Sequence, residues 1–67
     1  MASFMVVRNR KNIVDFGLNF DFAETLYAQE RAKLCNVEDS VTLCEVLVHK
    51  EVSVVAKLEE FDRAEQD

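Results

Sequence analysis

Proline and tryptophan are missing from this 67-residue chain, and glycine and histidine occur once each. Each shortage closes off a class of function. With no proline and a single glycine, Gly17, no stretch reads as a flexible or polyproline linker, so residues 1–67 are expected to form one domain. A glycine-rich loop to cradle phosphates has no sequence to build it. Gly17 instead reads as a bulge or a point of close approach within a strand. His49 stands beside Lys50 and Glu51 in a turn-like stretch, where it reads as solvated rather than as the base of a nucleophile pair. Two cysteines, Cys35 and Cys44, are too few for a secreted disulfide framework. With one histidine they are also too few for a structural zinc site, and no C-x-x-C or H-x-x-x-H spacing occurs. They read as reduced thiols, with a single bridge between them left geometrically open. No catalytic residue, metal or cofactor is expected. Nor is a small-molecule pocket expected in so short a chain.

Long apolar runs are lacking as well. Nothing approaches the roughly 18 residues that cross a bilayer. The apolar start, Met1 to Val7, is followed by Arg8-Asn9-Arg10-Lys11, the reverse of the charge order in a secretory signal. A cytoplasmic protein without a membrane partner is the expectation.

What is present is globular in kind: 49% apolar and 31% charged residues, with a net charge of −5. The charge is uneven. Residues 1–12 carry Arg8, Arg10 and Lys11 and no acid, giving +3. Residues 13–38 carry five acids against two bases, giving −3, and residues 39–67 carry eight against three, giving −5. A basic tip on an acidic body is the main electrostatic feature.

Ser3 to Arg8 is rich in β-branched and aromatic residues and reads as a strand. After the turn formers Asn9 to Asn12, the apolar Val14, Phe16, Leu18 and Phe20 alternate with Asp15, Gly17 and Asn19. That period of two predicts a second strand with one buried face, and hence a hairpin. Asp21 as cap, with Glu24 three residues on, predicts a helix over Phe22 to Cys35. The helix has one sector of Phe22, Ala23, Leu26, Tyr27 and Leu34 and a second of small residues, Ala28, Ala32 and Cys35.

Val41 to Val48 is apolar on both alternating sets, broken only by Glu45, and reads as a central strand. His49-Lys50-Glu51 reads as a turn before a fourth strand from Val52, with residues 60–67 a frayed or helical acidic tail. The fold class is thus α+β, a ββαββ domain with an antiparallel sheet and one helix on one face. The alternative, ββαβα, makes Ser53 to Arg63 a second helix.

Three binding functions fit this pattern. If the helix covers one sheet face, the other is expected to expose either Phe4 and Val6 or Met5 and Val7, and beside them Leu43, Leu47 and Val55. Together with Glu45, Glu59, Glu60 and Phe61 these residues form the candidate protein interface. A core this small also gains from burying such a face in a homodimer. Small phage and plasmid proteins that bind and block a host protein share this general style, which makes a stoichiometric inhibitor the leading expectation. A nucleic-acid module using Arg8, Arg10 and Lys11 is the first alternative. An acidic DNA mimic built on Glu59, Glu60, Asp62, Glu65 and Asp67 is the second.

Overall fold

The pattern of short β-branched runs around one helix-forming stretch resolves into five elements. The computed structural model describes residues 2–63. In order they are β1 (Ala2–Arg8), β2 (Asn12–Gly17), α1 (Phe20–Lys33), β3 (Ser40–His49) and β4 (Val52–Asp62). The four strands form one sheet in the order β2-β1-β3-β4, with every neighbouring pair antiparallel. The ββαββ domain is therefore as the sequence suggests. The alternative helix over Ser53 to Arg63 is excluded, because Ser53 to Asp62 is strand. The acidic stretch 60–62 likewise belongs to β4, while Glu65 and Asp67 lie outside the described residues.

Both hairpin turns use left-handed backbone. Asn9 and Arg10 have φ of 56° and 60°, and the Lys11 N–H donates to the Arg8 carbonyl at 3.2 Å. In the second hairpin only two residues, Lys50 and Glu51, separate the paired His49 and Val52, and Lys50 has φ of 58°. The helix starts earlier than Asp21 suggests. Asn19 caps it, its Oδ1 accepting from the Phe22 N–H at 3.0 Å, while Asp21 sits in the first turn. Leu18 and Phe20 therefore leave the expected strand, and the chain turns into α1 after Gly17.

In an antiparallel sheet, paired residues share a face. Val6 opposes Leu43 and Arg8 opposes Val41, and all four belong to the face under the helix. The core there is Val6, Ala23, Tyr27, Leu34, Val41 and Leu43, with Phe4, Leu26 and Phe61 packed around it. Phe4 meets the Phe20 ring edge-on at 5.2 Å between centroids, and the Arg31 guanidinium lies 4.3 Å from the Phe61 centroid.

A 14-residue helix is about 21 Å long, whereas an 11-residue strand reaches about 36 Å. The molecule is 41 Å along its longest axis, so the β3–β4 hairpin runs well past the helix. Beyond β1, which ends its pairing where Ala2 meets Leu47, both faces of that hairpin lack a covering layer among the described residues.

Two bulges adjust the pairing. One leaves Val14 extra in β2, between the partners of Val6 and Val7, and the other leaves Leu58 extra in β4. The expected glycine bulge does not occur. Gly17 has no positive φ, and a Cβ there would meet nothing closer than 3.8 Å. The alternating set Val14, Phe16, Leu18 and Phe20 is exposed rather than buried: the bulge at Val14 turns Phe16 to the face away from the helix, and Leu18 and Phe20 lie beyond β2.

Candidate protein-binding surface

The face opposite the helix is built from three rows of paired residues. Ile13, Val7, Thr42 and Glu60 form the first, Phe16, Met5, Cys44 and Lys57 the second, and Ser3, Val46 and Val55 the third. Its apolar part runs from Ile13 and Phe16 at the β2 edge to Val55 at the β4 edge. Ile13 is 61% exposed, Phe16 56% and Val55 57%, while Cys44 and Val46 between them are buried. Burial pushes the Cys44 thiol above its ordinary value, and the Glu60 carboxylate adds to the rise against the opposing pull of Lys57. Cys44 thus acts as a small apolar residue. Cys35 is exposed, and the two thiols are unbonded.

The end of this face nearer the first turn is polar and closed upon itself. Arg10 reaches Asp62 at 3.0 Å and Glu60 at 3.8 Å. Glu60 also takes Lys57 at 3.3 Å and accepts from the Thr42 hydroxyl at 3.2 Å. Around the corner, Arg8 lies 3.8 Å from both Glu30 and Asp39, and Lys33 lies 3.1 Å from Glu30.

Asp39 ties the loop together. Its carboxylate accepts from the Asn36 and Cys35 N–H groups, and the Asn9 amide donates to it. The Asn36 N–H is the largest influence holding the Asp39 carboxyl below its ordinary value, and burial opposes the shift. The Cys35 N–H, Arg8 and Asn9 add to the lowering. On the helix side, burial raises the Tyr27 phenol, helped by Glu59 and Glu60 and opposed by Arg31. No buried side-chain polar atom among the described residues lacks a partner.

The expected interface residues do not share one surface. Leu43, Glu45, Leu47, Glu59 and Phe61 point to the helix side, while Val55 and Glu60 point to the open side. Leu43 is only 1% exposed and belongs to the core, so it cannot form part of an exposed patch. Phe61 is packed against the core with Arg31 above it. Leu47 is exposed, but past the end of the helix rather than on the opposite face. Glu59 and Glu60 are on opposite faces, so the acidic stretch does not form a single phosphate-like array among the described residues.

The basic tip is also divided. Arg8 and Arg10 are committed to carboxylates, and of the three only Lys11 has no ion pair among the described residues. Sequence reasoning missed Ile13, Phe16 and Val46, and named Met5 with Val7 as one of two sets that the first strand could turn to this face, the set that the register selects. The available signal was that one short helix covers one face of a four-stranded sheet, leaving the second face to whatever apolar residues the register puts there.

No group of three or more histidine, cysteine or acidic side chains is placed to hold a metal ion among the described residues. A shallow, open depression lined by Glu24, Thr25, Ala28, Gln29 and Ala32 lies on the outer side of α1. No helix among the described residues is long and apolar enough to cross a membrane. Compared with protein-family models, with curated proteins and with solved structures, the chain matches none.

Proposed function

We propose that this chain is a non-catalytic protein-binding domain that acts stoichiometrically, presents the open sheet face to its partner and also associates with itself. The observation that supports this most is the exposed apolar strip of Ile13, Phe16 and Val55 flanking the buried Cys44 and Val46, with no layer over it among the described residues. Large exposed apolar strips on small proteins ordinarily mark interaction surfaces, and aromatic side chains at such positions carry much of the binding energy. The polar clamp of Arg10, Glu60 and Asp62 then supplies a rim beside the apolar strip. In its narrower form the proposal is a cytoplasmic inhibitor that occludes a surface of a host protein, as small phage and plasmid proteins do.

The test compares capture of partners by the wild type and by Phe16→Glu and Val55→Lys, both at exposed positions away from the core. Loss of the same partner in both variants, with the circular dichroism spectrum unchanged, is the expected result. Retention of every partner by both variants would show that the open face is not the binding surface.

A further inference from the structure

The sheet ends in two unlike edges. Strand β2 offers six residues, interrupted by the bulge at Val14 and carrying Asp15. Strand β4 offers eleven, and its first stretch, Val52 to Ala56, holds no charge at all. Sheets ordinarily blunt an exposed edge by keeping the strand short, bulging it or charging it. All three devices are present in β2. In β4 the charges begin at Lys57 and the bulge at Leu58, so Val52 to Ala56 is left open for pairing among the described residues.

We infer that the chain dimerises by antiparallel pairing of β4 with the β4 of a second copy, about a two-fold axis at Val54, joining two four-stranded sheets into one of eight strands. This rests on the self-association in the reading above and assigns it to a strand edge rather than to the open face.

The register follows from the hairpin. Because the two-residue loop sets His49 opposite Val52, antiparallel alternation turns the backbone groups of Val52, Val54 and Ala56 toward β3. Those of Ser53, Val55 and Lys57 then turn outward. With Val54 on the axis, Ser53 lies against the partner's Val55, so outward groups meet outward groups. Val52 meets the partner's Ala56, and the exposed Val52 and Val54 side chains gain cover. At the ends of this stretch Glu51 meets the partner's Lys57, an opposite-charge pair formed twice by symmetry.

Moving the axis to Val55 brings Glu51 toward the partner's Glu59, a like-charge pair, and moving it to Ser53 sets Glu51 against the partner's Val55. Exposed charge pairs add little affinity but do select among registers. A pairing of β4 with β2 would use two different surfaces and propagate as an open filament, whereas β4 with β4 closes after two copies.

Sedimentation equilibrium of the full chain from micromolar to millimolar concentration tests the inference. A dimer is expected, weakened on the order of tenfold or more by Val54→Lys with an unchanged circular dichroism spectrum. The register is read by cross-linking in a Cys35→Ser background. Residues paired on the axis lie about 4.5 Å apart at Cα, within disulfide range, so Val54→Cys forms a bridge between copies on mild oxidation. Val55→Cys does not, because it lies opposite the partner's Ser53. A dimer that Val54→Lys leaves at full strength would overturn the edge assignment while leaving self-association in place, and one that cross-links through Val55→Cys and not Val54→Cys would overturn the register about Val54. A monomer at every concentration would overturn both, and would leave the open-face reading to stand or fall on the Phe16→Glu variant.

Discussion

The two ends of the molecule solve the problem of a short chain in opposite ways. At the first-turn end, the helix, the Asp39 loop and four ion-paired carboxylates close around Arg8 and Arg10, and the central strands are buried beneath α1. At the second-turn end, the β3–β4 hairpin continues past the helix with Leu47, Val48, Val52, Val54 and Val55 all exposed. The first end holds the core, and the second carries apolar side chains that no layer covers among the described residues. Under the proposed function, the apolar surface left out of the core by a 67-residue chain, which has little to spare, is the part available to a partner.

The strongest way to break this comparison is to truncate the same residue type at each end. Leu43 and Leu47 lie on the same strand and the same side of the sheet, but only Leu43 is under the helix. Leu43→Ala is expected to cost about 2–5 kcal/mol, the usual range for a fully buried leucine. That is a large share of the whole stability of a domain this size. Leu47→Ala, at an exposed site, is expected to change stability by no more than about 0.5 kcal/mol. Urea denaturation of both variants at low protein concentration decides the matter, and equal losses would remove the distinction between the ends.

A smaller effect sharpens the account of the polar end. The folded Asp39 carboxyl ionises more readily than the unfolded one, whose ordinary value is about 4. Its ionised contacts therefore stabilise the fold above that pH, and the contribution is lost as pH falls through the lower, folded value. Asp39→Asn is expected to lower stability at neutral pH and to flatten its decline on acidification to about pH 3. Urea midpoints for the two proteins at both pH values provide the check. An undiminished acid dependence in the variant would shift the explanation to other carboxylates.

The comparison also explains what was legible in the sequence. The number, order and type of elements follow from local signals: β-branched runs, turn-forming Asn9 and Asn12, and helix formers after residue 20. The faces were not legible, because they depend on register. A three-residue turn at His49-Lys50-Glu51 would put Val55 on the same side as Leu43 and Leu47. The actual two-residue turn places Val55 opposite Val46 and reverses its face. The bulge at Val14 disrupts the first hairpin's alternation in the same way, so Phe16 faces out rather than into a core. Neither feature has a residue signature in this chain: the left-handed position of the second turn is Lys50 rather than glycine, and the bulge falls at Val14. The ion pairs of Arg8 and Arg10 join residues up to 52 positions apart and arise only once the strand order is set.

The most direct measurement of the difference between the two ends is residue-resolved amide hydrogen exchange in dilute protein, where association is suppressed. Val6 and Leu43, on the central strands under the helix, are expected to exchange only with global unfolding, while Ser53 and Val55, on the outer edge of the projecting hairpin, exchange orders of magnitude faster. Protection of Ser53 and Val55 equal to that of Leu43 in the dilute monomer would mean that this end is already covered within the chain, and would contradict the claim that it is reserved for a partner.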